Sequence, residues 1–535
     1  MDKKSLFKSM AAGLLILCLV LVSTIISTFK TGIGAVVDTA LLSVCLMKLF
    51  GALSEKTVAL SDSFARAFIS CASTIALYFA VLFLNDTEIG IETCLAFTFL
   101  MIVSSALGIL FFSAVGDIFS EKRYTFPQLA PRLAMISAAE SDRKKNLRMA
   151  FFVGISAVYA VAVDVFRALP AQLLFLKNST IYFFDNSLLY VATGYFIGYQ
   201  TWIKMAVGFA YSLLIFVLFP AGDFSEHLMN PWLYSVILAF SLTNGVLAAG
   251  SAFGKWKGSF GGGKKGRNPV TAMVSSGKRG ALWLAVLFAV YAVFFGIWRP
   301  GEWMLVWSFL LLIPVTVVSS MSTAIGVAET GFWFSALDDI VPILLILLVH
   351  MQDSVAILLV LTGLTAFEMA GIYYVLNCRV VQRFSVEKGT LTAFSVVSCV
   401  VGSVLTIWLV VILAKGNAIG GAELPVPNSK VLSMTIEGLI TTLSKFRLPE
   451  YLNLPVFVTA CVVSIVIRRF HLSPMTVIAG MLLPFGAFVS IGVGALVSWG
   501  MRRHGEKRME VFSGLAIGES LVSAVMALMN LFSVS

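Results

Sequence analysis

The chain has 535 residues, of which 59% are hydrophobic and 12% charged, with a formal net charge of +10. A soluble domain carries about 25% charge, so this composition excludes a soluble protein and leaves no segment for a soluble domain beside the membrane part. The basic excess would suit nucleic acid, but its Lys and Arg stand in short loops between apolar runs, where they set membrane orientation instead.

Apolar runs long enough to cross a bilayer core recur along the whole chain. The first, Lys8 to Ser27, lacks a small-residue cleavage site and reads as a retained first helix with a cytoplasmic N-terminus. Runs at 8–28 and 33–53 flank Phe29-Lys30-Thr31-Gly32, and a third spans 64–84 before an acidic loop, Asn85 to Glu88. A fourth run, 91–115, enters a loop rich in bases: Lys122, Arg123, Arg132, Arg143, Lys144, Lys145 and Arg148. Inside that loop, Phe126-Pro127-Gln128 leads an apolar piece too short to cross. After a span at 149–168 comes an apolar segment, Asp185 to Leu213, interrupted at Gly198-Tyr199-Gln200; an acidic loop (Asp223, Glu226) and a span at 231–250 follow.

Residues 252–280 form a Gly- and Lys-rich linker without acids, and 281–298 a single span. The GGGKKG in the linker lacks the spacing of a phosphate loop. About 300 residues on, the opening pattern returns: Glu329-Thr330-Gly331 echoes Lys30-Thr31-Gly32, Asp338 echoes Asp38, and Val426-Pro427-Asn428 echoes Phe126-Pro127-Gln128. His471 to Trp499 echoes the interrupted segment at an offset of 286, matching Ser187/Ser473, Val191/Val477, Gly194/Gly480, Val207/Val493, Gly208/Gly494 and Ser212/Ser498. Its break falls at Pro484-Phe485-Gly486, with Pro484 and Gly486 expected as the turn. The common order and offsets indicate an internal repeat. Loop charge reverses sign between the halves, acidic 85–88 corresponding to the loop of Arg379, Arg383 and Lys388, so the second half is expected upside down relative to the first.

The expected fold is therefore an all-α polytopic membrane protein of two inverted-topology repeats. It would hold about 13 full spans, two short pieces and two interrupted or re-entrant segments, about 16 hydrophobic segments in all. The bounds are 1–251 for the first repeat, 252–280 for the linker, 281–298 for the connecting helix and 299–535 for the second repeat.

Charges inside apolar segments cost about 2.5–3.5 kcal/mol on insertion scales and so point to function. They are Asp38, Asp164, Lys204, Asp338, Asp339, Glu368, Glu437 and Glu519. Adjacent Asp338 and Asp339 cannot both ionise cheaply in a dry site, which suits proton coupling, and capping of a helix start explains them equally well. Glu519, among small residues of Gly514-Leu-Ala-Ile-Gly-Glu-Ser520, suits a proton or ligand site or a buried structural hydrogen bond. Glu437 lies on the second short piece, and Lys204 either pairs with a carboxylate or snorkels to the interface. The seven cysteines form no CxxC and the four histidines are dispersed, so neither metal site nor cofactor is expected, and covalent catalysis is a poor reading.

Several motifs resemble the oligopeptide transporter (OPT) family, which includes yellow-stripe-like metal-chelate transporters. They are Leu472-Ser473-Pro474 through Pro484, the ending Gly514 to Ser520, Lys30-Thr31-Gly32, Phe126-Pro127, Ala328 to Gly331 and Val431 to Gly438. The chain departs from the family at Gln128, where an acid often follows the Phe-Pro, and at Trp333-Phe334, which replaces an Asn-Pro. The resemblance implies proton-coupled symport of small peptides or metal chelates into the cytoplasm. Substrate or coupling candidates are Thr31, Gly32, Asp38, Pro127, Gln128, Glu329, Thr330, Gly331, Asp338, Asp339, Pro427, Asn428, Glu437, Ser473, Pro484 and Glu519. Expected partners are the lipid bilayer of the cell membrane and the small-molecule substrate, with no nucleic acid; a homo-oligomer stays open. The alternatives are a transporter of another small organic solute, a channel, or a membrane scaffold.

Overall fold

The computed structural model describes the chain except residues 1, 32–38, 52, 86–88, 116–125, 139–142, 176–180, 259–268, 299–302, 334, 336, 416–418, 420–425, 444–451, 471, 504–507 and 533–535. Helices dominate. In order they are α1 (Lys3–Thr31), α2 (Thr39–Leu49), α3 (Glu55–Leu84), α4 (Ile91–Val115), α5 (Leu129–Ala138), α6 (Arg143–Ala160), α7 (Leu188–Ile197), α8 (Tyr199–Leu218), α9 (Phe224–Leu228) and α10 (Pro231–Gly258). Then follow α11 (Pro269–Trp298), α12 (Trp303–Thr330), α13 (Leu337–Val349), α14 (Ser354–Arg383), α15 (Lys388–Lys415), α16 (Pro427–Leu443), α17 (Leu454–Arg469), α18 (Pro474–Leu482), α19 (Phe485–Arg503) and α20 (Met509–Phe532).

Among the described residues, seven helices are long and apolar enough to cross a membrane. They are Lys3–Val22, Glu55–Leu84, Ile91–Val115, Tyr199–Leu218, Leu312–Thr330, Ser354–Arg383 and Lys388–Ala414, and α17 with α18, bent by 119°, would make an eighth. The apolar stretch of α14 is 94% buried and that of α8 only 28%, so α14 lies at the centre of the bundle and α8 at its edge. Polar side chains on α14 therefore face protein.

Local chemistry explains where the elements begin and end. Ser54 caps α3 in a reciprocal box with Thr57, and Asp353 and Asn453 accept backbone N–H bonds at the starts of α14 and α17. Gly198 separates α7 from α8 at φ 79°, ψ 161°, a backbone conformation open to glycine and costly for other residues. The second interruption falls at Leu483-Pro484, where Leu483 is extended and Pro484 has no N–H to continue the helix.

Four expectations change. The break predicted at Gly198-Tyr199-Gln200 is Gly198 alone, because Tyr199 already begins α8. Gly486, expected as part of a turn with Pro484, lies within α19, where a Cβ would stand 2.4 Å from the Tyr182 ring; it is a contact glycine. The chain is also not wholly α: β1 (Gln172–Phe175) and β2 (Tyr182–Asp185) form an antiparallel hairpin with Leu173 opposite Phe184. That hairpin rests on α19, where the Asp185 N–H donates to Ser490 Oγ at 3.1 Å and the Ser490 hydroxyl donates to the Asp185 carbonyl at 2.5 Å. The linker is shorter than its composition suggests. Helix α10 runs on to Gly258 and α11 starts at Pro269, because Lys, Ser and Ala are compatible with helix; Gly261 to Gly266 lie outside the described residues.

Helix partners occur in exchanged pairs. Helix α3 packs on α15 and α14 on α4; α6 packs on α20 and α17 on α10; α7 packs on α19 and α18 on α8. Helices α1 and α12 are 29 and 28 residues long, α3 and α14 30 each, and α8 and α19 20 and 19.

Candidate functional site

Two irregular stretches begin the short helices α5 and α16, and each docks on the end of a long helix from the other half. Phe126 takes φ 45°, unusual for a residue with a side chain, and its N–H donates to the Ala328 carbonyl at 2.8 Å. Val426 takes φ 41°, and its N–H donates to the Phe29 carbonyl, also at 2.8 Å. The proline after each supplies no donor, so this one amide anchors the turn.

At the first of these junctions the sequence-predicted residues meet. Gly331 has φ 82°, and a Cβ there would lie 3.1 Å from Gln128 Oε1 and 3.2 Å from Pro127 Cγ. Thr330 is fully buried; its hydroxyl donates to the Gly326 carbonyl at 2.8 Å and accepts from the Phe332 N–H at 3.1 Å, closing the helix end. Half-buried Glu329 accepts a hydrogen bond from the Thr476 hydroxyl in the first turn of α18 at 3.2 Å. Ser473 is the N-cap of that helix but makes no side-chain capping bond. Arg379 stands 5.3 Å from the centre of the Phe126 ring, and Trp333 stacks on Tyr373 at 5.5 Å. Into this junction goes the Gln128 amide. Its Nε2 and Oε1 are both buried and neither has a hydrogen-bond partner among the described residues. An unpaired buried polar group costs about 1–3 kcal/mol, so a side chain holding two of them is suited to receive a ligand bearing one donor and one acceptor.

The second junction is described only in part. Gly32 and Asp38 lie outside the described residues, as do the side chains of Thr31, Pro427, Asn428, Asp338, Asp339 and Asp164. Helix α16 is held by Ser429, which donates to the Leu77 carbonyl at 2.9 Å, and by Ser433, which donates to Asn85 Oδ1 at 2.6 Å. Glu437 and Lys204 are exposed, and Pro484 is half-buried at the start of α19. Fully buried Glu368 lies 3.5 Å from the Ser320 hydroxyl, between α14 and α12.

The interrupted helices cross at four glycines. A Cβ on Gly194 would fall 1.8 Å from the Ile491 carbonyl oxygen, and one on Gly480 would fall 1.9 Å from that of Met205. A Cβ on Gly208 would likewise fall 1.8 Å from the Val477 oxygen, and one on Gly494 1.8 Å from the Val191 oxygen. These are the residues that match at an offset of 286 in the sequence. Bare backbone at these points lets the helices pass closer than any side chain would allow.

Glu519 caps the first interrupted helix. It accepts from the Ser187 hydroxyl at 2.6 Å and from the Leu189 N–H at 2.9 Å, so its charge meets the positive end of α7. Of its two readings, the structural hydrogen bond is visible. The neighbouring glycines work as expected from their size: Gly514 and Gly518 lie under α6, where a Cβ would come within 2.8 Å of the Met149 oxygen and 2.4 Å of the Val153 oxygen. Replacing Glu519 by Gln should cost about 1–2 kcal/mol of stability, because the amide still accepts one bond but loses the charge–dipole attraction. Thermal unfolding of the variant beside Glu519→Ala checks this; equal losses for both would assign the whole effect to the charge.

Sequence reasoning missed two groups. Asp62 on α3 and Arg132 on α5 form a buried ion pair, 0% and 3% exposed, through the Arg132 Nε–H. The Arg132 guanidinium also donates to Asn377 Oδ1 at 2.8 Å and Ser63 Oγ at 3.2 Å, and Thr39 and Arg66 complete the shell of Asp62. Arg132 reads in sequence as one more basic loop residue, while Asp62 stands just outside the apolar run. The other missed residue is His227 on α9, 1% exposed, with Nε2 at 2.9 Å from the Ser212 hydroxyl. Nothing in the sequence marks it beyond its place in a short acidic loop.

Among the described residues no cluster of three or more His, Cys, Asp or Glu side chains is placed to hold a metal ion. No protein-family model matches the sequence, and no curated protein matches it.

Proposed function

We infer that the protein is a secondary active transporter built from two inverted repeats, moving a small solute across the cell membrane by alternating access. The observation that carries this reading is the reciprocal crossing of the two interrupted helices at Gly194, Gly208, Gly480 and Gly494. A pair of broken helices from opposite halves is how secondary transporters place irregular backbone around a ligand. The exchanged helix pairs, the matched lengths and the mirrored Phe126–Ala328 and Val426–Phe29 bonds support it. Full spans additional to the long described helices belong to the same reading, as does a cytoplasmic N-terminus.

The substrate is a small peptide or a metal–chelate complex, taken up with protons, in keeping with the resemblance to oligopeptide transporters. The unpaired donor and acceptor of Gln128 beside Glu329 and Thr476 favour a solute with amide or carboxylate groups. Purified protein in proteoliposomes should accumulate labelled peptides or chelates, faster when the outside is made acidic. Uptake indifferent to an imposed pH gradient would remove proton coupling. A flux that follows the electrochemical gradient without saturation or counterflow would make the protein a channel, and no flux at all would leave a scaffold.

A further inference from the structure

Helix α9 lies between α8 and α10, outside the spanning segments, yet its one histidine is sealed inside the protein. The His227 ring packs against Phe216, Phe224 and Phe485, with centroids 5.5, 5.8 and 5.6 Å away. The Ser212 hydroxyl on α8 donates to the Met481 carbonyl at 3.3 Å, in the last turn of α18, just before the Leu483-Pro484 break. With its proton committed there, Ser212 accepts from His227, so Nε2 carries the hydrogen. Nδ1 is then a bare lone pair, buried and without a partner among the described residues.

We propose that His227 is a proton-binding residue whose protonation releases the loop at α9 from the break in the second interrupted helix. A second proton, on Nδ1, would place a donor and a full charge against the rings of Phe216, Phe224 and Phe485. The closed arrangement does not accept that proton cheaply, so acid favours an arrangement in which the ring leaves the cage and the Ser212–Met481 link loses its partner. Burial accordingly pushes the imidazole from 6.5 down to about 4.

Other charges do not hold the proton in place. On its own loop, Asp223 and Glu226 are exposed; Glu226 accepts from the Gly222 N–H at 2.7 Å, and Asp223 accepts from the Glu226 N–H at 2.8 Å. Helix α8 presents Ser212 and Phe216, α18 the Met481 carbonyl and α19 Phe485. Tyr234 on α10 belongs to a separate cluster with Ile340, and β2 brings Tyr182 and Asp185 to Gly486 and Ser490. The shift arises from burial alone.

The sign follows from linkage. A histidine with an ordinary value near 6.5 when released and about 4 when enclosed favours the closed form above 6.5. The closed-to-open ratio falls about tenfold for each pH unit below that, levelling off near 4. This deepens the transport reading and rests on it only for the use made of the proton.

Hydrogen exchange of the full-length protein in lipid nanodiscs, corrected for intrinsic rates and referenced to α14, tests it between pH 4 and 7.5. Peptides covering 222–230 and 479–488 should lose protection steeply below pH 6.5. In His227→Phe, which keeps an aromatic body but cannot titrate, and in His227→Gln, which can still reach Ser212, the loss should vanish. Protection that is flat with pH in the wild-type chain, or an unchanged pH response in both variants, would overturn the proposal. A pH response without solute uptake under any gradient would sink the transport reading and leave the latch standing; uptake with a flat α9 region would do the reverse.

Discussion

Replacing Arg132 by Ala should destabilise the protein by about 3–5 kcal/mol, the usual cost of stranding one member of a buried ion pair. Asp62 is 0% exposed, so it cannot regain water when its partner goes. The nearby Arg66 offers only part of a replacement, since its Nε lies 3.4 Å from the Asp62 carboxylate and its side chain is 28% exposed. Asn377 and Ser63 would each lose the donor they now face. The double replacement Asp62→Leu with Arg132→Met should cost far less than the two single changes added together, because it removes the charge along with its partner. Thermal unfolding in detergent gives all the corners of that cycle. Additive losses would mean that the pair is not coupled.

The second large effect is expected at the helix crossing. Gly494→Ala puts a Cβ 1.8 Å from the Val191 oxygen, a separation no atoms adopt, so α7 and α19 must move apart along their whole contact. Overpacking of this kind costs about 1–3 kcal/mol, and Val at the same position should cost more. Gly500 lies six residues further along the same helix, with no described atom within 4 Å of its added Cβ. There alanine should be neutral or stabilise by up to about 1 kcal/mol, since it is the better helix former. Melting temperatures of the two alanine variants compare position against residue type directly; equal shifts would contradict the crossing.

The features legible in the sequence are those whose physics leaves a residue type behind. A helix that passes within backbone reach of another must carry glycine there, so Gly194, Gly208, Gly480 and Gly494 stand out in register. A turn that begins on a positive φ and a proline leaves Phe126-Pro127 and Val426-Pro427. The Asp62–Arg132 pair leaves no such trace, because a charge is read as a loop residue or a buried one only once its partner is known. That partner lies 70 residues away, on a piece too short to be assigned a depth. The hairpin at 172–185 was hidden for another reason: strands of four residues are too short for alternation to register, and their support comes from α19. Glu519 was legible as buried and polar, but which of its roles holds depended on where the end of α7 falls.

The exchanged helix pairs have a consequence for biogenesis. Each glycine crossing joins segments about 270–300 residues apart, as with Gly208 and Val477 or Gly194 and Ile491. At synthesis rates of about 5–20 residues per second, the first half waits roughly 15–60 s in the membrane before its partners emerge. During that interval the glycine faces of α7 and α8 are bare, the Arg132 guanidinium lacks the Asn377 side-chain oxygen, and the carboxylate that caps α7 has not been made. Helices α1, α2 and α3 can pack on one another in that interval, but the crossing of the interrupted helices is a late event that waits on the second half.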